Sequence, residues 1–326
     1  MIQEAVARAF DEAQALDVAQ RAVVALPDDA DAVVLGSGGT GKTLLAVELV
    51  AERLLGRGWA PDSVLALAAT RTSASALRDR LARRVGIPTP GPLARTLASV
   101  AFEIVRGAAA AEGRPAPSLL TGADQDRIVA ELLAGEIEDG TDGYWPEAID
   151  REVRSLAGFR AELRELQARL LERGLSPGRL AELGAGARAD GHRGDRPGRE
   201  SWTAAARFLA LLEDVQDAVS PGAADAVELV VEAAVAVERG APVSRRLRLL
   251  VVDDAQELGV AGLRLVEALA RSGVRVVALG DPDLATGGFR GAVPGGFLGI
   301  AAAAGRTAVE VVLPRAHRQR SAVRAA

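Results

Sequence analysis

The stretch Asp31-Ala-Val-Val-Leu35-Gly36-Ser37-Gly38-Gly39-Thr40-Gly41-Lys42-Thr43 decides the fold. From Gly36 onward it matches G-x-x-x-x-G-K-[ST], and its flanks fit the mechanism of that pattern. The apolar run 31–35 reads as a buried strand, and 44–55, beginning Leu44-Leu-Ala-Val, reads as a helix. A strand, a glycine loop and a helix N-terminus together hold phosphates through backbone N–H groups and the helix dipole. In that arrangement the backbone of Gly36 to Thr43 cradles the phosphates, Lys42 reaches the β- and γ-phosphates, and the Thr43 hydroxyl holds Mg²⁺. A glycine-rich turn matching by chance would not account for both flanking elements.

A second segment has the form this loop requires. Leu249-Leu-Val-Val252-Asp253-Asp254-Ala-Gln256 is an apolar strand ending in two acids. Asp253 is the candidate Mg²⁺ ligand, directly or through water, and Asp254 the candidate general base for an attacking water. Taken alone, the two acids read equally well as a solvated turn. Val276-Val-Ala-Leu-Gly280-Asp281-Pro282-Asp283 repeats the form. It is either a γ-phosphate sensor or an ordinary turn with proline fixing φ.

Composition narrows the rest. The chain has 326 residues, 49% apolar and 25% charged, with only 3% aromatic, so alanine, leucine and valine must build most of the core. Zero cysteine excludes a disulfide framework, and two histidines exclude a histidine-rich zinc site. A net charge of −5 argues against indiscriminate coating of nucleic acid but leaves room for a local groove. No apolar run is long enough to span a membrane, and the first residues carry acids without an apolar signal region, so the expected compartment is the cytoplasm.

The chain begins α/β, turns helical and ends α/β. Strands are expected at 63–69, 247–252, 274–279 and 308–313, and helices at 73–85, 96–106 and 262–270. Between 109 and 245 the pattern is helical, with helices at 124–133, 151–173, 177–183, 202–219 and 223–238 and a loop at 184–199. The expected fold is therefore an α/β P-loop NTPase with a mostly parallel sheet, interrupted by a helical insertion. Residues 1–108 and 246–320 form the ATP-binding domain in this reading, 109–245 the insertion, and 321–326 a disordered tail.

In order and spacing these boxes resemble the ATP-binding half of UvrD-like superfamily 1 DNA helicases, whose core is RecA-like. Leu16-Asp-Val-Ala-Gln20 resembles the Q motif, which implies that Gln20 reads adenine; an exposed helix glutamine is the alternative. Thr70-Arg71-Thr-Ser resembles motif Ia, and Thr96-Leu-Ala-Ser99 the Thr-x-His-Ser segment, which implies DNA contacts by Thr70, Arg71, Thr96 and Ser99. Val252-Asp253-Asp254-Ala-Gln256-Glu257 resembles the Asp-Glu-x-Gln-Asp box. Gly280 to Ala292 resembles motif III, which implies DNA contacts by Phe289 and Arg290, although Phe289 also reads as a core residue. Leu313-Pro-Arg-Ala-His-Arg318 resembles motif IV, which implies that Arg318 reaches the γ-phosphate. The Arg- and Leu-rich segment 151–173 is similar to the insertion of helicase–nuclease subunits of the AdnA type.

The resemblance implies an ATP-dependent, Mg²⁺-requiring DNA helicase of the 3′–5′ type, acting on single-stranded or duplex DNA in repair or recombination. It also implies a second RecA-like domain or a partner helicase–nuclease subunit, because the boxes here stop after motif IV. Four positions depart from the family pattern. The catalytic glutamate is Asp254, the histidine of Thr-x-His-Ser is Ala98, the coupling glutamine of motif III is Leu284, and a usually bulky position is Gly287. A shorter carboxylate misplaced by about 1 Å can cost about 100-fold in rate. Leu284 has no hydrogen-bonding group. These departures sustain a second expectation, a degenerate or truncated ATP-binding subunit with little motor activity. A small-molecule kinase would not need the insertion or the DNA-facing boxes.

Overall fold

The computed structural model describes residues 16–186, 199–241, 246–287 and 291–317. Two compact units emerge, Met1–Val100 with Pro242–Ala326, and Ala101–Ala241. Among the described residues no helix is long and apolar enough to cross a membrane.

The first unit is built on a six-stranded sheet. Its strands are β1 (Asp31–Leu35), β2 (Val64–Ala68), β3 (Ala94–Thr96), β6 (Leu249–Val252), β7 (Arg275–Gly280) and β8 (Ala308–Val312), in the order β3-β2-β6-β7-β1-β8. Every neighbouring pair is parallel. Val33 lies between Ala278 and Glu310, and Leu250 between Leu65 and Val276. All of β6 is buried, as is β1 from Asp31 to Val34. Strands covered on both faces need unbroken apolar runs, and that is why these segments do not alternate.

The covering helices are α1 (Val18–Val24), α2 (Lys42–Ala51, continued by a π turn over Glu52–Gly56), α3 (Arg71–Val85) and α11 (Val260–Arg271). Leu45 and Leu49 of α2 pack with Leu77 and Leu81 of α3 and with Val34, Val251 and Leu279 of the sheet. At the amino end of β1, buried Asp31 accepts from Arg306 Nε at 2.6 Å and Nη2 at 3.0 Å and from the Val276 N–H at 2.8 Å. Arg306 also donates to the carbonyls of Ala270 and Val274. A buried carboxylate is tolerable when it is paired and hydrogen-bonded in this way. The clip fixes β1, β7 and the approach to β8 at the end of the sheet away from the glycine loop.

The second unit is helical: α5 (Gly122–Glu138), α6 (Arg151–Ser155), α7 (Ala157–Glu172), α8 (Pro177–Gly186), α9 (Arg199–Val219) and α10 (Ala226–Glu238). The helix α4 (Leu97–Ala111) contains the boundary between the units. Scarce aromatics are concentrated here. Trp145 packs edge-on to Phe159 at 5.5 Å between centroids and against Phe208 at 5.9 Å.

Three expectations are corrected. Thr96 ends a strand instead of opening a helix, because Ala94-Arg-Thr96 pairs with Ala66 to Ala68 at the edge of the sheet. The helix expected over 151–173 is two, since Leu156 is extended (ψ 136°) and begins a new N-terminus. The helix expected from Ala223 starts at Ala226. Asp225 caps it, and Ala223–Ala224 (β5) pairs in parallel with Ser118–Leu119 (β4).

Candidate functional site

The parallel sheet puts one end of every strand on the same side. Gly36 follows β1, Ala69 and Thr70 follow β2, Thr96 ends β3, Asp253 follows β6 and Asp281 follows β7. In open α/β sheets ligands bind at these carboxyl ends.

The glycine loop is shaped by its own residues. Gly39 (φ 88°) and Gly41 (φ 85°) are left-handed, a conformation that side chains resist. A Cβ at Gly36 would lie 2.5 Å from Thr40 Oγ1, so the loop closes only over a bare glycine. Buried Thr40 donates its hydroxyl to Ser37 O at 2.9 Å. Lys42 Nζ donates to Gly36 O at 2.5 Å and Ser37 O at 3.2 Å, which holds the ammonium over the loop at the start of α2.

Gln20 is 1% exposed, which rules out the exposed-helix reading. Its Nε2 donates to Thr40 O at 3.0 Å, and its Oε1 accepts from the Asp17 N–H at 2.9 Å. Asp17 Oδ1 in turn accepts from the Gln20 N–H, completing a capping box that fixes α1 against the loop.

Asp253 is 6% exposed, and its backbone N–H donates to Leu67 O at 2.9 Å. Burial, with the neighbouring Asp254 charge, pushes its carboxyl up to about 6 against the opposing pull of the Thr43 hydroxyl and Lys42. Its Oδ1 is buried without a hydrogen-bond partner. A buried carboxylate oxygen left unpaired beside a threonine hydroxyl fits a hard divalent cation, which would satisfy the oxygen and offset the burial cost. Asp254 is, among the described residues, the one non-glycine residue at positive φ (53°). That backbone costs about 1–2 kcal/mol and is typical of sites where a side chain must be aimed.

Lys42, Gly38 and Asp254 share an open cleft of about 640 Å³ with Ala69, Thr70, Ser73, Gln256, Glu257, Asp281, Leu284, Thr286 and Gly287. Thr70 caps α3, its hydroxyl accepting from the Ser73 N–H at 3.0 Å. Arg71 is exposed in the first turn of α3, where a cation opposes the helix dipole and an anionic ligand would relieve it. Thr96 Oγ1 accepts from the Ser99 N–H at 3.3 Å at the end of β3. Arg71, Thr96 and Ser99 lie on the same side of the sheet as the cleft but do not line it. Phe289, Arg290 and Arg318 lie outside the described residues, as do the tail 321–326 and most of the loop 184–199.

Leu284 is 55% exposed on the cleft, with Cδ1 3.9 Å from where a Cβ at Gly38 would stand. A Cβ at Gly287 would lie 2.6 Å from Glu257 Oε2 and 3.2 Å from Ala292 Cβ, so the Glu257 carboxylate would have to shift. The sequence reading places Gln256 and Glu257 in the acidic box and Asp281 in a γ-phosphate sensor or turn, but pairs neither Gln256 with Asp281 nor Glu257 with Thr286. These two pairs are 25 and 29 residues apart, and no local pattern carries such pairings.

A family model, the UvrD/REP helicase N-terminal domain, matches residues 16–303. The chain is also 24% identical over 270 residues to the ATP-dependent DNA helicase Rep of Escherichia coli (strain K12), an alignment covering 80% of this chain and 35% of that protein. The chain thus spans about a third of that relative's length. The parallel α/β sheet, the glycine loop and the helical insertion agree with the match. The chain belongs to the UvrD/REP helicase N-terminal domain family, whose superfamily binds nucleotide and acts on nucleic acid.

Proposed function

We propose that this chain is the ATP-binding portion of a DNA-dependent ATPase that couples hydrolysis to movement along single-stranded DNA in repair or recombination, of the 3′–5′ type by family resemblance. The observation that carries the reading is the buried, unpartnered Asp253 Oδ1 beside Thr43 and behind the Gly36–Thr43 loop. The loop amides and Lys42 would hold the phosphates, and Thr43 with Asp253 would hold Mg²⁺. Bound ATP would supply the phosphoryl group, and the cation would neutralise its charge. Asp254 accepts a proton from the attacking water. Gln20, buried against the glycine loop, is assigned the adenine side, and Arg318 is assigned the γ-phosphate by family resemblance alone. Thr70, Arg71, Thr96, Ser99, Phe289 and Arg290 are the candidate DNA contacts. A second RecA-like domain or a partner helicase–nuclease subunit supplies the facing wall of the motor.

A second reading is favoured by Leu284, which stands on the cleft with no hydrogen-bonding group. In that reading the chain binds nucleotide but turns it over slowly, and serves a regulatory or structural role. ATP hydrolysis with and without single-stranded DNA separates the two. Stimulation by DNA supports the motor. Nucleotide binding without turnover, alone or with a second RecA-like domain, supports the second reading, and an Asp254→Glu variant that regains turnover locates the defect.

A further inference from the structure

Four aspartates are buried among the described residues: Asp31, Asp142, Asp253 and Asp281. Asp31 is paired with Arg306 and Arg275, and Asp142 with Arg154 and Arg151. Asp253 and Asp281 have no ion pair within 4 Å among the described residues. A buried carboxylate without a counter-charge is costly, and such groups concentrate at functional sites. A cation beside Thr43 would account for Asp253; Asp281 needs another partner. It is 8% exposed and lines the cleft with Lys42 and Asp254. Its place is fixed by the sheet. β7 runs between β6 and β1, the Gly36 N–H donates to Gly280 O at 3.1 Å, and a Cβ at Gly280 would lie 2.6 Å from the Cζ of buried Phe297. Asp281 therefore leaves the sheet between the glycine loop and Asp253.

Asp281 Oδ1 accepts from the Asp283 N–H at 3.1 Å, a turn that an asparagine would close equally well. The negative charge therefore has another use. An ionised carboxylate only accepts hydrogen bonds, and so do the oxygens of an ionised γ-phosphate, so a donor must stand between the two. We propose that Asp281 is a second catalytic carboxylate, which accepts a proton from the water attacking the γ-phosphorus. The assignment rests on the nucleotide reading above. Asp281 takes that proton as the water oxygen bonds to phosphorus and the bond to the β–γ bridging oxygen breaks, its electron pair staying on ADP; the proton then passes to solvent. Asp254 approaches the same water from the end of β6 with a side chain one methylene shorter than glutamate, and Asp281 supplies a second acceptor from the end of β7.

Calorimetric titration of the full chain in Mg²⁺, with ADP alone and with ADP plus aluminium fluoride, tests it, because the fluoride complex mimics the phosphoryl group in transit beside its attacking water. Asp281→Asn keeps an acceptor for the Asp283 amide and removes the charge, whereas Asp281→Ala removes both. The wild type is expected to bind ADP more tightly when aluminium fluoride is present. In Asp281→Asn, ADP alone should bind as in the wild type, while the gain from aluminium fluoride falls about tenfold or more and any ATP hydrolysis slows by a similar factor. Urea denaturation should find Asp281→Asn at least as stable as the wild type and only Asp281→Ala weakened. An equal gain in the wild type and Asp281→Asn, zero included, overturns the assignment and leaves the nucleotide reading standing. A folding defect in Asp281→Asn makes the carboxylate structural and overturns it as well. Absence of ADP binding by the wild type overturns the nucleotide reading, and the assignment with it.

Discussion

The two walls of the cleft are built on opposite principles. On the glycine-loop side, Gly36, Gly39 and Gly41 give up side chains so that backbone can approach a ligand, and Lys42, Thr43 and Asp253 converge behind them. On the side of the 281–287 segment, exposed Leu284 lines the cleft between Asp281 and Thr286, and Gln256 and Glu257 hold the segment by hydrogen bonds to those two residues. Nucleotide binding depends on the first wall, and conversion of binding into work depends on the second. A chain can keep the first nearly unaltered while the second drifts, so a phosphate loop certifies a ligand before it certifies a motor.

The largest expected effect concerns Asp253. Its carboxyl is raised to about 6 by burial and the Asp254 charge, whereas the unfolded chain releases the same proton near 3.9. Between these values the folded state holds the extra proton, so without a cation stability falls as pH rises through this window and stays low above it. The penalty is at most about 3 kcal/mol. Urea denaturation without Mg²⁺ should therefore find Asp253→Asn more stable than the wild type at pH 7 and equal to it below about pH 4. No difference at pH 7 would mean that the first wall is not poised for a cation.

Next in size is Gly280→Ala. The added methyl would meet Phe297 and Gln256 in a region where little can yield, and overpacking of this kind costs about 1–3 kcal/mol. Denaturation at a fixed pH measures it. Asp254→Gly should act in the opposite direction, relieving about 1 kcal/mol of left-handed strain and removing the carboxylate at once. A rise in melting temperature with a fall in any ATP hydrolysis would show that the strain is kept for function, whereas a fall in both would make Asp254 structural. The smallest effect is expected from Leu284→Gln. It leaves the fold within about 0.5 kcal/mol, as exposed substitutions do. It should raise stimulation of hydrolysis by single-stranded DNA, measured as the ratio of rates with and without DNA. An unchanged ratio would show that the second wall is not limited at that position.

Much of this was legible in the sequence because it rests on local pattern. The apolar runs at β1, β6 and β7 mark strands covered on both faces, and the glycine spacing from Gly36 to Thr43 marks a loop that must approach a ligand. The misses have physical causes. Ala94–Thr96 is too short to show a period, and it is a strand only because Ala66 to Ala68 lies beside it. The break at Leu156 is one extended residue between two good helix formers. The Gln256–Asp281 and Glu257–Thr286 contacts depend on two loops meeting above the sheet, which no window of sequence contains.

The central claim is that the first wall binds Mg²⁺-nucleotide whatever the second wall does with it. Calorimetric titration of the full chain with ATPγS in Mg²⁺ tests this most directly, with Lys42→Ala as the paired sample. The account expects saturable binding of one nucleotide per chain, weakened about tenfold or more by Lys42→Ala through loss of charge-assisted hydrogen bonds to the phosphates. No binding by the wild type, or equal binding by the two chains, would contradict it.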